Sequence, residues 1–194
     1  DDLLKKEFDV YREKQEPHPI FKEYNLNFIP FQHEDIDRWR NSLSGGISYI
    51  DKETNLIIQG GVDDVWFNLD TKELVVADYK AQSTTAEVEK EYYLKSQYHQ
   101  GYKTQMDIYV YILRNMNFNV SSTSYFMVCN GVKTKDKFNS NMEFDITLVD
   151  YETDTSWVQN KINDMKLTLD SNTIPEITPH CENCAYINKG SEFN

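Results

Sequence analysis

Two aspartates and a lysine, on strands that we expect to be neighbours, form the first group of residues that could carry chemistry. Asp63 lies within one apolar segment, and Asp78 and Lys80 lie near the end of the next. The turn between the two segments is short, so the strands pair and the carboxylates converge at one edge of a sheet. Alternation along the second strand places Asp78 and Lys80 on one face and Tyr79 on the other.

This arrangement of oxygen ligands is typical of a Mg²⁺ or Mn²⁺ site. A carboxylate in an apolar strand is costly to bury unless it is paired or bound to a cation. Two carboxylates and an adjacent backbone carbonyl form a hard oxygen site. Lys80 would then orient or deprotonate a water, or stabilise charge on a phosphorus centre. The alternative is a structural ion pair between Asp78 and Lys80, with Asp63 and Asp64 at the end of a hairpin.

A glutamine in the middle of an apolar helix face is the second feature. At 100° per residue, six apolar or aromatic side chains lie within about 60° of Gln105. These are Leu94, Tyr98, Tyr102, Ile108, Tyr109 and Ile112. An amide buried there without a hydrogen bond would cost on the order of 1–3 kcal/mol. Its partner is either a metal-site or phosphate group or a carbonyl of a neighbouring strand, and the pattern does not distinguish these.

The elements that position these residues follow from hydrophobic periodicity. Helices are predicted over residues 1–16, 35–43, 92–115 and 156–169, and strands over 47–50, 55–67, 74–80, 124–129 and 144–149. The order of helix, three-strand meander, helix and strand predicts an α/β layered domain with a mixed sheet. We assign one domain to residues 1–194, with an N-terminal helical extension over 1–32, a core over 33–150 and a C-terminal helix and tail over 151–194.

Three motifs in this order resemble the PD-(D/E)XK nuclease superfamily. They are Gly60-Gly61-Val62-Asp63, then Val75-Val76-Ala77-Asp78-Tyr79-Lys80, then Gln105-x-x-x-Tyr109 on a helix. The last of these is similar to the RecB-like branch, which includes CRISPR-associated adaptation nucleases. The resemblance covers roughly residues 33–130. It implies a restriction-endonuclease-like core, in which a mixed central sheet is flanked by helices.

The resemblance also implies a role for each matching residue. Asp63, Asp78 and the backbone carbonyl of Tyr79 would bind the metal, and Lys80 would be the catalytic lysine. Gln105 and Tyr109 would support the site or contact the DNA backbone.

Two positions in this assignment have rivals. Asp64 competes with Asp63, and the Gly-x-x-Asp spacing of the family selects Asp63. Family members usually add a glutamate or histidine from the preceding helix, for which the candidates are His33 and Glu34. We favour His33 as this ligand, because it lies about 60° from Ile36 on the apolar face whereas Glu34 lies on the opposite side.

The implied function is a Mg²⁺- or Mn²⁺-dependent nuclease that hydrolyses phosphodiester bonds in DNA. We expect an exonuclease acting in DNA repair, recombination, or mobile-element or CRISPR-type processing, with a larger protein or complex as a further candidate partner. The alternative is a catalytically inactive scaffold that keeps the nuclease fold and binds DNA or protein. The presence of Asp78, Lys80 and Gln105 favours the enzyme.

A C-x-x-C pair near the end of the chain is a separate metal or redox candidate. Cys181 and Cys184 follow His180, but a closed zinc or iron–sulfur site needs four ligands. We therefore expect a reduced pair and no iron–sulfur cluster. Zinc completed by His180 or another chain is the alternative, and a cysteine-based redox or zinc-binding protein is a third functional hypothesis. Cys129 lies in a predicted strand and is expected in the core.

Three lysines could contact nucleic acid outside the carboxylate pair. Lys133, Lys135 and Lys137 alternate after Asn130 and Gly131, so in an extended segment they would face one side and bind backbone phosphates. Exposed lysines on an edge hairpin also protect a sheet against aggregation, which is the alternative explanation.

The overall charge limits the kind of nucleic-acid binding that we expect. The 194 residues include 20 basic and 32 acidic side chains, a net charge of −12, which predicts weak and salt-sensitive nonspecific binding. The longest apolar or aromatic run is Ile108–Leu113, too short to span a membrane. Three cysteines do not form a disulfide framework, and we expect a soluble protein in the cytoplasm.

Overall fold

A mixed five-stranded sheet forms the framework of the larger part of the chain. The computed structural model describes residues 2–137, 140–178 and 181–191, and divides into two compact units, Asp1–Val158 and Gln159–Asn194. The strands are β1 (Phe28–Pro30), β2 (Ile47–Ile50), β3 (Ile57–Gly60), β4 (Asp64–Asn68), β5 (Leu74–Gln82), β6 (Thr123–Gly131) and β7 (Phe144–Glu152). The sheet has the order β1-β4-β5-β6-β7, in which only the β5–β6 pair is parallel, and β2 and β3 form a separate hairpin.

Helices of the first unit cover both faces of this sheet. The helices are α1 (Asp2–Lys14), α2 (Pro19–Glu23), α3 (Ile36–Trp39), α4 (Lys90–Lys95), α5 (Gln100–Asn115), α6 (Val158–Asp170) and α7 (Glu182–Ser191), with a 3₁₀ turn over Gln97–His99. The predicted mixed sheet flanked by helices is confirmed. No helix in the described ranges is long and apolar enough to cross a membrane.

The alternation of β5 divides its side chains between two apolar clusters. Val76 packs with residues of α5 such as Val110, whereas Ala77 and Tyr79 pack with Phe8 of α1. Cys129 lies in the second cluster, as expected for a core residue. Because both faces are covered, every side chain from Leu74 to Tyr79 is buried, which explains why this stretch is apolar apart from Asp78 and the hydroxyl of Tyr79.

The predicted strand over 55–67 is two strands in two different sheets. The backbone leaves the ladder after Gly60, and the amide of Val62 donates to the carbonyl of Trp39 at 3.2 Å. A Cβ at Gly61 would lie 2.7 Å from the Cα of Ser42, so only glycine allows this close approach. The break separates β3 from β4 and leaves Asp63 just before β4.

The predicted helix over 92–115 is also interrupted. Ser96 adopts an extended conformation (φ −59°, ψ 129°) between α4 and the 3₁₀ turn. The side-chain amide of Gln100 donates to the carbonyls of Leu94 and Ser96, and a ring nitrogen of His99 lies 2.8 Å from the carbonyl of Tyr93. These side chains satisfy carbonyls at the end of α4, so the break leaves them bonded.

A buried ion pair attaches α1 to the start of β4. Arg12 Nη2 lies 2.5 Å from Asp64 Oδ1, and both side chains are almost fully buried. The hydroxyl of Tyr79 donates to Asp64 Oδ2 at 2.9 Å, and Arg12 also donates to the carbonyl of Phe31. Both carboxylate oxygens of Asp64 therefore have partners on the face of the sheet that α1 covers.

Loss of Arg12 would leave the Asp64 carboxylate buried and unpaired. We expect Arg12→Met to lower the free energy of unfolding by about 3–5 kcal/mol. Lys14→Met, an exposed lysine on the same helix, should change it by less than about 0.5 kcal/mol. Urea unfolding monitored by circular dichroism measures both values, and equal effects of the two substitutions would contradict the role given to this ion pair.

Candidate active site

The structure brings Asp63 and Asp78 together between β4 and β5. Asp63 Oδ2 accepts a hydrogen bond from the backbone amide of Tyr79 at 2.8 Å, which holds its carboxylate beside Asp78. Asp63 Oδ1 lies 3.4 Å from Nζ of Lys5 on α1. Since Asp64 is bonded to Arg12 on the opposite face, Asp63 is the aspartate that adjoins Asp78.

Burial and a neighbouring like charge perturb Asp78. Its side chain is only 4 % exposed. Burial raises the pKa of Asp78, the ammonium of Lys80 opposes the rise, and Asp63 adds to it, giving a value of about 6. Two carboxylates in contact at neutral pH repel each other, so a cation at this position is electrostatically favoured.

Three side chains fix the position of Lys80. Its Nζ forms an ion pair with Asp78 and donates a hydrogen bond to Gln105 Oε1 at 3.2 Å. The same ammonium lies 4.2 Å above the centre of the Tyr102 ring. The predicted common face of Asp78 and Lys80 is thus observed, and two side chains of α5 hold the lysine in addition to Asp78 of its own strand.

Gln105 is held in turn by Tyr109, one turn further along α5. Gln105 Nε2 donates to the Tyr109 hydroxyl at 2.6 Å. The partners of the amide are therefore two side chains of the site, rather than the metal-site backbone, phosphate or strand carbonyl that the sequence suggested. Burial, followed by the charge of Asp78, raises the pKa of Tyr109 to about 12, so its hydroxyl keeps its proton at neutral pH.

Gly60 leaves the space that the Tyr109 ring occupies. A Cβ at Gly60 would lie 2.5 Å from Tyr109 Cε1. The glycine of the Gly-x-x-Asp motif therefore allows Tyr109 of α5 to pack against the segment that leads to Asp63. Gly60, Tyr109, Gln105 and Lys80 form one chain of contacts.

His33 lies in an aromatic cluster and not with the carboxylate pair. Its ring stacks on Trp39 with centroids 4.4 Å apart, and Nδ1 accepts a hydrogen bond from the amide of Asp35. Within residues 2–137, 140–178 and 181–191, no group of three or more His, Cys, Asp or Glu side chains is arranged to bind a metal. In this structure neither His33 nor Glu34 lies with the two aspartates. The prediction that His33 binds the metal stays untested.

The three lysines of the sequence analysis lie on an irregular segment after β6, not on an extended strand. Lys133 donates to the carbonyl of Ser83, and Lys135 forms an ion pair with Glu143. Together with Lys137 they line a cavity of about 460 Å³. Their contact with nucleic acid stays a prediction.

The C-x-x-C pair is formed at the start of α7. The two sulfur atoms are 2.7 Å apart, and the amide of Cys184 donates to Cys181 Sγ at 3.2 Å. Hydrogen bonds from Cys184 lower the pKa of the Cys181 thiol. The pair would offer a metal two sulfur ligands. His180, the third candidate ligand, lies outside the described residues.

Two contacts of this site were not predicted from the sequence. Lys5 reaches Asp63 from the N-terminal helix, and Tyr102 underlies Lys80. Tyr102 was identified only as part of the apolar helix face, although its position three residues before Gln105 already placed it beside that glutamine. No sequence signal links Lys5 to Asp63.

The donor set fits a hard divalent cation. Asp63, Asp78 and the carbonyl of Tyr79 are oxygen donors, and Mg²⁺ commonly binds through one or two carboxylates with water completing its shell. Burial and the charge of Asp63 both disfavour ionisation of Asp78, and Lys80 offsets this only in part, so a divalent ion would stabilise the ionised pair.

A comparison with protein families agrees with this geometry. The family model of the PD-(D/E)XK nuclease superfamily matches residues 1–188. The chain belongs to the PD-(D/E)XK nuclease superfamily. The chain matches no curated protein sequence significantly. The resemblance in the three motifs is confirmed at the level of the superfamily, as is the restriction-endonuclease-like fold.

In this PD-(D/E)XK chain, the packing of Gly60 against Tyr109 provides a stability test. We expect Gly60→Ala to lower the free energy of unfolding by about 1–3 kcal/mol, because the new methyl group overlaps the ring. Gly101→Ala is the matched control, since a Cβ there meets no atom within 4 Å. In α5 that change should stabilise the protein by about 0.5–1 kcal/mol. Thermal unfolding of both variants is the measurement, and a neutral Gly60→Ala would contradict the contact.

The raised pKa of Asp78 predicts a pH dependence of stability in EDTA. The ordinary pKa is about 3.9, so the folded chain holds this proton more strongly than the unfolded chain. The resulting stability is present at low pH and is lost as pH rises through about 6. Between pH 4 and pH 7, the unfolding free energy of the wild type relative to Asp78→Asn should fall by on the order of 2 kcal/mol. A difference that does not change with pH would contradict this assignment.

Proposed function

We propose that this protein is a Mg²⁺- or Mn²⁺-dependent nuclease that hydrolyses DNA phosphodiester bonds. The observation that carries the proposal is the juxtaposition of Asp63, Asp78 and Lys80, with Lys80 held by Gln105. Membership of the PD-(D/E)XK superfamily supports hydrolysis of nucleic acid. The Gln105–Tyr109 pair supports the RecB-like branch, and with it an exonuclease that acts in DNA repair, recombination or CRISPR-type processing.

The metal would be held by Asp63, Asp78 and the carbonyl of Tyr79. When bound, Mg²⁺ or Mn²⁺ supplies Lewis acidity and lowers the pKa of a coordinated water. The chain itself fixes its ligands in advance, because the Tyr79 amide orients Asp63 and burial restrains Asp78. Asp78 must be ionised to serve as a ligand, so the metal would compete with the proton that the raised pKa of the metal-free site favours.

Lys80 acts on the phosphate that is attacked. Its Nζ donates hydrogen bonds to the attacking water or to a phosphate oxygen that gains charge. Gln105 Oε1 and the Tyr102 ring contact Nζ independently of Asp78, so they would keep Lys80 in position if Asp78 held a metal. Tyr109 limits the rotation of Gln105, so it acts on the reaction only through that glutamine.

The inactive scaffold is the second candidate. The number of candidate metal ligands favours it. Within the described ranges, two carboxylates lie at the site and no third acidic, histidine or cysteine side chain joins them. A net charge of −12 also favours it, because phosphate binding would then depend on a small basic surface or on a partner protein.

Cleavage assays with a matched lysine control separate the two candidates. The substrates are linear and circular DNA, each single- and double-stranded, with Mg²⁺ or Mn²⁺ and with EDTA. The nuclease should cut only with metal, and cutting restricted to linear DNA would identify an exonuclease.

Lys80→Met should lower kcat by about 10²–10³. Lys52→Met, an exposed lysine in the β2–β3 turn, should leave it unchanged. Absence of cutting, combined with absence of divalent-ion binding in calorimetry, would establish the scaffold.

A further inference from the structure

A small cavity opens beside the end of β5, apart from the carboxylate pair. Its volume is about 220 Å³, and its lining includes Gln82, Tyr92, Tyr93 and His99. Pockets for drug-sized ligands occupy roughly 300–1,000 Å³, so this one suits a single ring system. The cavity lies at the interruption of the predicted helix, since Tyr92 and Tyr93 belong to α4 and His99 follows Ser96 in the 3₁₀ turn.

A row of aromatic rings connects this cavity with the catalytic lysine. Lys80 Nζ lies above the Tyr102 ring, and Tyr102 stacks on His99 with centroids 5.3 Å apart and an angle of 17° between the planes. His99 in turn contacts Tyr93, with centroids 4.0 Å apart. The π faces therefore continue from the phosphate-handling lysine into the cavity lining. Aromatic rows of this kind suit stacking of nucleic-acid bases.

The Tyr93 hydroxyl is a buried donor without a partner in the described part of the chain. The side chain is only 5 % exposed, and its hydroxyl oxygen accepts and donates no hydrogen bond there. Burial, followed by the neighbouring Tyr102 and the charge of Asp78, keeps the pKa of Tyr93 above its usual range. The hydroxyl oxygen itself is enclosed by protein, so Tyr93 lines the cavity without offering a hydrogen bond to a ligand there.

The charge of the lining distinguishes a base from a phosphate. Glu87 and Glu89 stand at the cavity, and its lining residues include no lysine or arginine. A phosphate would be repelled there, whereas an uncharged base would stack on the Tyr92 ring and reach the amide of Gln82. The Tyr92 side chain is 73 % exposed, so it is available for such a contact.

We propose that this cavity binds one unpaired nucleobase of a strand whose phosphate lies at Lys80. The substrate class is therefore single-stranded nucleic acid, or a duplex end with an unpaired tail, because a base in a duplex is stacked and paired and cannot enter. The inference rests on the proposed nuclease function, since it uses Lys80 as the phosphate position. It adds the strand state of the substrate.

Equilibrium binding without cleavage tests the cavity directly. The full chain in EDTA and low salt is titrated into fluorescein-labelled 12-mers, single-stranded and duplex, and anisotropy is recorded. The wild type should prefer the single strand. Tyr92→Ala should weaken single-strand binding by about 5- to 100-fold, whereas Tyr92→Phe, which keeps the ring, should stay within about twofold.

A control tyrosine and an abasic scan make the result specific. Tyr186→Ala removes a tyrosine of α7 that is 81 % exposed, similar to Tyr92, and should leave binding unchanged. One abasic position is moved along the 12-mer in Mg²⁺ cleavage assays. If one base occupies the cavity, cleavage should slow only when the abasic position lies at one fixed number of nucleotides from the cut.

The outcomes separate this inference from the nuclease proposal. Metal-dependent cleavage with equal binding by Tyr92→Ala and the wild type would overturn the base pocket and leave the nuclease intact. Preference for duplex DNA, or an abasic scan without a sensitive position, would also overturn it. Loss of single-strand binding in Tyr92→Ala without any cleavage by the wild type would support the pocket and contradict the nuclease.

Discussion

The burial of Asp78 against another carboxylate is the constraint on which the rest of the site depends. The apolar cover that makes β5 a central strand removes Asp78 from water, and the Tyr79 amide holds Asp63 beside it. Charge must be supplied to this pair. Without metal, Lys80 and Lys5 supply it as ammonium groups. The same electrostatic demand makes the position suitable for a divalent cation.

Two adjacent aspartates illustrate how strand alternation separates structure from chemistry. Asp64 faces α1 and is neutralised by Arg12 and the Tyr79 hydroxyl, so its charge is used entirely in holding α1 on the sheet. Asp63 is the residue beside Asp78. Tyr79 joins the two aspartates, because its amide donates to Asp63 and its hydroxyl to Asp64. Damage to the ion pair of Asp64 would therefore also disturb Asp63.

The sequence predicted the parts of the site that depend on local geometry. The common face of Asp78 and Lys80 follows from alternation, and the proximity of Gln105 and Tyr109 follows from helical spacing. Contacts between distant segments could not be predicted, as Lys5 and Asp63 show. The roles of these residues in metal binding and catalysis stay predictions that only activity and binding measurements address.

The errors in the predicted elements have identifiable causes. The continuous helix over 92–115 was predicted because the apolar period runs through Ser96. The ending of α4 depends on side-chain hydrogen bonds from His99 and Gln100, which periodicity does not register. The break after Gly60 depends on the close approach of Ser42 to Gly61, a tertiary contact. Strand β1 escaped prediction because three residues are too few to show alternation.

The most direct test of the central claim is a calorimetric Mn²⁺ titration of the wild type, Asp63→Asn and Asp78→Asn at pH 7.5. Asp164→Asn, an exposed aspartate of α6, is the control. If the buried pair is the cation site, each site substitution weakens Mn²⁺ binding at least about tenfold and the control does not. A wild type that binds no Mn²⁺, or site variants that bind it as tightly as the wild type, would contradict the account.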